Sequence, residues 1–271
     1  MIAKGEPVVG VFSVTSDPAA VEVIGYAGFD FVGIDTEHAA LSPYGIELES
    51  CIRAAYASDI VPLVRVAENN KSMILKALNF GAKGIFAPHV NTREDAERLV
   101  MSAHYSPEGR RSAAPPIRAA RYGWTPWPEF WRKSNEEILV IPILEEKQAM
   151  DNLDDIISVP GLDIIFFGPF DLSMTLGHDG ASDLPIIWDY LDRAVNSCKR
   201  KGLPVMNLAW NVDSARKSLE RGCAVISLGV DLVLLNSALQ QLAKGVREKI
   251  KPMKLKRLPS HSRSPKAIKR S

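Results

Sequence analysis

The amino-acid sequence predicts an α/β fold, a (β/α)8 barrel that forms a single domain, and two observations support this. Short apolar segments with strand character alternate eight times with helical segments, within the roughly 250 residues typical of such a barrel. The 271-residue chain is 46% hydrophobic, which suits one large core better than two small ones. A doubly wound sheet is the alternative, but residues 13–18 after the first strand lack a glycine-rich phosphate-binding motif.

The strand segments are short apolar runs, rich in β-branched or aromatic residues and ended by Gly, Pro or polar residues. They are predicted at 8–14, 29–34, 61–66, 84–87, 139–144, 163–167, 204–207 and 224–228. The helical segments between them are predicted at 18–27, 43–57, 71–80, 93–103, 146–157, 187–201, 212–220 and 233–249. All strands of such a barrel are parallel, so the residues that follow them meet on one face.

One connection, residues 105–137 after the fourth helix, is much longer than the others. It contains five prolines and a group of large aromatic residues, namely Tyr122, Trp124, Trp127, Phe130 and Trp131. The aromatic content argues against disorder, and a loop of this length in a compact domain is usually a lid or an interface. We expect this aromatic loop to cover the mouth of the barrel or to contact another subunit.

The charge of the chain is divided between an acidic body and a basic end. Residues 251–271 hold eight Lys or Arg and no acid. Removing these eight from the 33 basic residues leaves 25 against 32 acidic residues, a net charge of −7 for residues 1–250. We therefore predict a barrel domain over 1–250 and a disordered basic tail over 251–271. A solvated tail is a simpler interpretation than contact with nucleic acid or a membrane, and we expect neither partner.

The sequence has no feature typical of secretion or membrane insertion. Residues 1–7 lack the apolar core of a signal peptide, and no apolar run reaches transmembrane length. The three cysteines, Cys51, Cys198 and Cys223, have neither metal-ligand nor redox spacing. We expect buried, reduced thiols and a cytoplasmic protein.

Two carboxylates follow neighbouring strands and suggest a metal site. The fifth strand leads into Glu145, and the sixth leads into Gly168-Pro169-Phe170-Asp171. Carboxylate oxygens suit Mg²⁺, Mn²⁺ or another hard divalent cation, which keeps positions open for water and substrate. We therefore predict Glu145 and Asp171 as ligands of Mg²⁺ that could also hold a 2-keto acid. Alternatively each acid caps the helix that follows it, and Glu146 instead of Glu145 could point inward.

Polar residues also follow the second, third and fourth strands. After the second strand, Asp35 could orient His38 as a general base. Arg65 ends the third strand, where it could bind a carboxylate or stabilise a developing oxyanion, and His89 follows the fourth. The alternatives are an exposed histidine at a turn, a structural ion pair of Arg65, and a loop histidine. Polar residues from five strands on one face favour catalysis on a keto acid through its enolate.

An ordered set of motifs resembles the HpcH/HpaI family of metal-dependent class II pyruvate aldolases. The motifs are residues 28–38 (GFDFVGIDTEH), Leu63-Val64-Arg65, residues 81–85 (GAKGI), residues 105–111 (YSPEGRR), residues 119–123 (AARYG), Glu145 with Ala149-Met150, and residues 168–173 (GPFDLS). The resemblance extends over residues 8–250. It implies a (β/α)8 barrel that assembles as a homo-oligomer, a hexamer or trimer of dimers, with swapped C-terminal helices.

The resemblance also implies roles for individual residues. It implies that Glu145 and Asp171 bind the divalent cation and that His38 and Asp35 form a base dyad. Arg65 would contact the enolate oxygen. The substrate carboxylate would bind at the turn Gly168, Pro169, Phe170 and Asp171, through backbone amides around Phe170 and Asp171.

Three positions depart from the pattern of bacterial family members. Ile143 stands where these commonly have Gln, Ser112 follows Arg111 in place of Gly, and His89 replaces an apolar residue. The histidine is similar to the fungal macrophomate-synthase-like branch, in which it belongs to the active site.

These features together predict a metal-dependent carbon–carbon lyase. The expected substrate is pyruvate or oxaloacetate with an unidentified acceptor, and the expected reactions are aldol cleavage or condensation, or decarboxylation. Two alternatives remain, a citrate-lyase-like enzyme acting on an acyl-CoA and a catalytically inactive barrel that acts as a binding protein.

Overall fold

The computed structural model describes residues 5–250 and contains a closed barrel of eight parallel strands in sequential order. The strands are β1 (Val8–Ser13), β2 (Phe31–Asp35), β3 (Val61–Arg65), β4 (Gly84–Ala87), β5 (Leu139–Leu144), β6 (Ile165–Phe167), β7 (Val205–Ala209) and β8 (Val225–Val230). Pairing of β8 with β1 closes the barrel. The predicted (β/α)8 barrel is confirmed.

Eleven α-helices are present among the described residues. They are α1 (Pro18–Tyr26), α2 (Ile46–Ala57), α3 (Lys71–Phe80), α4 (Arg93–Ala103), α5 (Trp127–Glu137), α6 (Lys147–Asp151), α7 (Leu153–Ile156), α8 (Pro169–Thr175), α9 (Pro185–Lys201), α10 (Val212–Glu220) and α11 (Asp231–Ile250). The sequence did not predict α5 or α8, and the helix predicted over 146–157 is interrupted at Asn152. Proline at the first position of α8 and Asp171 in its first turn are both favourable at a helix start.

The compact unit that contains the barrel ends at Val233, and residues 234–250 of α11 belong to a second unit. The predicted tail, residues 251–271, lies outside the described residues. Between residues 5 and 250, no helix is both long and apolar enough to span a membrane. The three cysteines are buried and unpaired, as expected.

Aromatic side chains fill the barrel interior. The rings of Phe12, Phe86 and Phe166 have centroids 5.2–5.9 Å apart, and Phe31 lies 6.3 Å from Phe86. A Cβ atom at Gly33 would come within 2.7 Å of the Phe12 ring, so glycine at this position leaves space for that ring. The outward strand faces pack on the helices in a larger, separate core.

Alternation along the strands directs three predicted site residues into the barrel mouth. Leu63 and Ile143 line the barrel interior, and residues two apart in a strand share a face. Arg65 and Glu145, each two residues further on, therefore point into the mouth at the carboxyl ends of β3 and β5. Asp35 on β2 follows the same rule, four residues after an interior phenylalanine.

The aromatic loop lies at the opposite, N-terminal end of the barrel. In its 3₁₀ helix, Arg118–Gly123, Arg118 Nη1 donates to the Phe80 carbonyl at 2.6 Å, and the Tyr122 hydroxyl accepts from Arg53 at 2.7 Å. The expectation that this loop covers the mouth of its own barrel is therefore wrong. It joins the end of a helix to the start of a strand, and both lie at the N-terminal end because the helices run opposite to the strands. A subunit contact stays a prediction.

Candidate active site

Asp35 and Arg65 form a buried ion pair at the barrel mouth, where β2 and β3 place them in register. Arg65 Nε donates to Asp35 Oδ1 at 2.9 Å, and Nη2 donates to Oδ2 at 2.5 Å. Burial lowers the pKa of Arg65, but Asp35, Glu37 and Glu145 raise it more, so the net direction is upward. Two-point pairing fixes the guanidinium plane, and the group stays charged.

His38 lies at the edge of the site with 63% of its side chain exposed. Its backbone N–H donates to Asp35 Oδ1 at 3.4 Å, whereas its ring Nε2 lies 3.8 Å from Oε2 of Glu37. Asp35 is thus linked to His38 through the main chain, and the carboxylate that the ring approaches is Glu37. The dyad of His38 and Asp35 therefore remains a prediction.

Glu37 is a site residue that the sequence analysis did not select. Its side chain is 13% exposed, with Oε2 3.4 Å from Arg65 Nε and Oε1 3.7 Å from His89 Nε2. Burial raises its pKa, and this effect exceeds the opposite influence of Arg65 and the histidines. Glu37 thus lies between the arginine and both imidazoles. The signal that could have found it is its position two residues after Asp35, on the same face.

His89 connects β4 to the two glutamates that follow β5. Its backbone N–H donates to Glu145 Oε1 at 2.9 Å, and its ring Nδ1 lies 2.9 Å from Glu146 Oε1. Its φ of 53° is in the left-handed region, an uncommon conformation for a residue other than glycine. Burial lowers the pKa of His89, but Glu145, Glu146 and Glu37 together raise it more.

The structure distinguishes the two adjacent glutamates. Glu145 points inward and is 5% exposed, whereas the Glu146 side chain is 31% exposed and contacts the His89 ring. Burial raises the pKa of Glu145 to about 7; the His89 amide and ring lower it, and Asp171 and Glu37 raise it. Glu145 is therefore a desolvated carboxylate whose charge is unfavourable without a cation.

The turn from β6 into α8 lies against Glu145. A Cβ atom at Gly168 would come within 2.5 Å of Glu145 Cβ, so glycine is needed for this approach. Gly168 and Pro169 are buried, Phe170 is exposed, and Asp171 is half-buried in the first turn of α8. Their contact with a substrate stays a prediction.

The chemistry of these residues fits a divalent cation. A cation would offset the repulsion that Asp171 and Glu37 exert on Glu145 and the cost of burying Glu145. Within residues 5–250 no group of three or more His, Cys, Asp or Glu side chains is arranged to hold a metal ion. A site with two protein carboxylates would leave other positions of the cation to water and substrate, as Mg²⁺ sites commonly do.

The chain has the fold of a (β/α)8 enzyme. Its carboxylates, arginine and two histidines lie at the carboxyl ends of the strands, where such enzymes have their active sites. The chain belongs to the HpcH/HpaI aldolase/citrate lyase family, whose model matches residues 8–238. The resemblance drawn from the motifs is confirmed.

The identities to named relatives show that the chain is a lyase. It is 34% identical over 244 residues to the 5-keto-4-deoxy-D-glucarate aldolase of Shigella boydii, covering 89% of this chain and 93% of that protein. The solved citrate synthase SbnG is 32% identical with a TM-score of 0.84, covering 92% of this chain and 97% of its own. Macrophomate synthase is 27% identical with a TM-score of 0.81, covering 91% and 86%.

Proposed function

We propose that this lyase makes or breaks carbon–carbon bonds through the enolate of a 2-keto acid, pyruvate or oxaloacetate. One observation carries the proposal: five consecutive strands bring Arg65, two histidines and the Glu145–Asp171 carboxylates to one mouth. The name of the related keto-sugar-acid aldolase supports this substrate class. The identity of the acceptor that reacts with the enolate depends on the shape of the pocket.

We propose Glu145 and Asp171 as the ligands of Mg²⁺, with Mn²⁺ or another hard divalent cation as a substitute. When bound, the cation supplies positive charge that lowers the energy of the enolate. Glu145 is held for this role by the His89 amide on one side and by the close approach of Gly168 on the other.

Arg65 would stabilise the negative charge that develops on the enolate oxygen. Asp35 holds its guanidinium in one orientation, so its positive charge needs no reorganisation during the reaction. The turn Gly168–Asp171 would bind the substrate carboxylate through backbone N–H groups. Asp35 therefore acts through Arg65 and through the main chain of His38.

Two histidines are available for proton transfer. Loss of CO2 from oxaloacetate leaves its electron pair in the enolate without removing a proton, and C3 must then receive a proton to release pyruvate. We propose that His38 exchanges this proton with solvent, since its ring is exposed and lies beside Glu37. The Nδ1 atom of His89 is held by Glu146, and its Nε2 atom faces the Glu37 carboxylate.

Oxaloacetate decarboxylation tests the proposal. Pyruvate release is measured with Mg²⁺ and with EDTA, after subtraction of the enzyme-free Mg²⁺ rate. We expect metal-dependent release that Asp171→Ala lowers by at least about 100-fold, because a cation ligand is lost. Asp189→Ala, an exposed aspartate on α9, is the matched control and should keep the wild-type rate.

Wild-type rates in Asp171→Ala would contradict the metal assignment. No release above background from the wild type would contradict decarboxylation and direct the search to an aldol adduct or an acyl-CoA.

A further inference from the structure

A second cavity lies at the N-terminal end of the barrel, opposite to the candidate active site. Its volume is about 550 Å³, within the range of small-molecule sites. Gly81, Lys83 and Ile138, which precede β4 and β5, line one side of it, and the 3₁₀ helix Arg118–Gly123 and α5 line the other. The cavity thus shares no residue with the cluster around Glu145.

Cationic side chains dominate the lining. Five of the lining residues are basic and two are acidic, namely Arg53, Lys83, Arg118, Arg121 and Lys133 against Glu129 and Glu137. Residues 1–250 as a whole carry a net charge of −7, so the positive charge of this lining is opposite in sign to the net charge of the domain. Such a concentration in a concave site attracts small anions.

Only part of this positive charge is matched by the protein. Lys83 and Lys133 share the Glu137 carboxylate at 3.1 and 3.5 Å. Arg53 is paired with the Glu49 carboxylate of α2, and Arg118 Nε lies 4.0 Å from the same carboxylate. Burial together with repulsion from Arg53 lowers the pKa of Arg118. Arg121 has no ion pair within residues 5–250. Arg121 is therefore available to an anion, whereas Arg118 has one donor occupied by the Phe80 carbonyl and a carboxylate only at the limit of ion pairing.

The backbone that carries Arg121 is unusual. Arg121 and Tyr122 have φ values of 52° and 58°, two successive residues in the left-handed region. This conformation is costly for residues with a Cβ atom, and here it places both side chains on the cavity wall. Strained residues of this kind cluster at ligand-binding segments.

We propose that this cationic cleft binds a phosphate group, free or as part of a small organic phosphate, with Arg118 and Arg121 as its ligands. A phosphate monoester carries nearly two negative charges at neutral pH, which suits the excess of cations. The guanidinium fork matches phosphate geometry, and Tyr56 and Tyr122 offer aromatic walls to an organic part. Because the cleft is at the other end of the barrel, its ligand would be distinct from the substrate bound at the mouth of the same chain.

Isothermal titration of the full-length protein with AMP, and separately with inorganic phosphate, tests the cleft at constant ionic strength. We expect saturable binding that Arg121→Gln weakens at least tenfold, as does Arg118→Gln. Arg216→Gln, an exposed arginine on α10, is the matched control and should bind as the wild type does. Tighter binding of AMP would identify an organic phosphate, and equal binding would identify free phosphate.

The active-site variant Asp171→Ala separates this proposal from the proposed function. It should bind AMP or phosphate normally, whatever its catalytic rate. The proposal is overturned if neither probe binds, if Arg216→Gln weakens binding as much as Arg121→Gln, or if Asp171→Ala abolishes binding while Arg121→Gln keeps it. Circular dichroism of each variant checks that the barrel is intact.

Discussion

Burial sets the chemistry of individual residues at the barrel mouth. Glu145, Glu37 and His89 all have raised pKa values, the acids because they are desolvated and the histidine because carboxylates surround it. Arg65 is the one guanidinium whose contacts reach this group among the described residues. Negative charge therefore exceeds positive charge here, which is the condition that a bound cation would relieve.

We predict that, in the absence of divalent cations, the free energy of unfolding falls as the pH rises through the pKa of Glu145. The pKa of Glu145 is about 7 in the folded chain against an ordinary value of 4.5. Between these values the folded state holds a proton that the unfolded state has lost, so this stabilisation is complete below pH 4.5 and is lost through pH 7.

Calorimetric Tm values in EDTA across this range would measure the effect. Glu145→Gln has no titrating group at this position, so its Tm should vary less with pH. Above pH 7, Mg²⁺ should raise the Tm of the wild type only. Parallel profiles for the two proteins would contradict the assignment.

At the scale of secondary-structure elements, the turn between β6 and α8 positions the candidate cation site. Glycine at 168 lets this turn approach β5, and α8 begins directly after it with Asp171 in its first turn. The separation of the two carboxylates thus depends on the packing of a turn against a neighbouring strand.

We predict that Gly168→Ala both destabilises the fold and weakens Mg²⁺ binding. The added methyl group would collide with Glu145 Cβ, and overpacking of this kind costs about 1–3 kcal/mol. Urea unfolding and Mg²⁺ titration would measure the two effects. Gly245→Ala on α11 meets no atom within 4 Å and should instead stabilise by about 0.5–1 kcal/mol, since alanine favours a helix. Unchanged Mg²⁺ affinity in Gly168→Ala would show that the turn does not position the site.

At the scale of the whole molecule, the exposed apolar side chains of α11 bear on the predicted homo-oligomer. Six of them recur every three or four residues, as expected for one helix face, at Leu232, Leu235, Leu239, Leu242, Val246 and Ile250. A continuous apolar face of this kind favours burial in an assembly.

We predict that the protein sediments as an oligomer and that Leu242→Glu weakens the assembly. A charge in a buried apolar contact is costly, so the variant should sediment at lower mass or dissociate at higher concentration. Gln241→Glu adds the same charge at a neighbouring polar position and should leave the assembly intact. A wild-type mass near that of one 29.8 kDa chain at micromolar concentration would contradict the prediction.

The sequence by itself determined the barrel, its strand order and the segments that reach its mouth. Strand and helix periodicity are local properties, and parallel topology brings the strand ends together. The bounds of β4, β5, α3 and α4 agree with the predicted segments. The motifs that carry the family resemblance are also local, and the family was identified from them.

Only the tertiary structure decided which side chains meet at the mouth. It selected Glu145 over Glu146 as the inward carboxylate, placed Glu37 between Arg65 and both histidines, and joined Asp35 to Arg65. The contacts of Asp35 and Glu37 with Arg65, and of Glu37 with His89, join different strands, so no local pattern specifies these partners. The structure also placed the aromatic loop at the N-terminal end of the barrel, because the direction of the chain through the barrel, and not the loop's composition, determines its position.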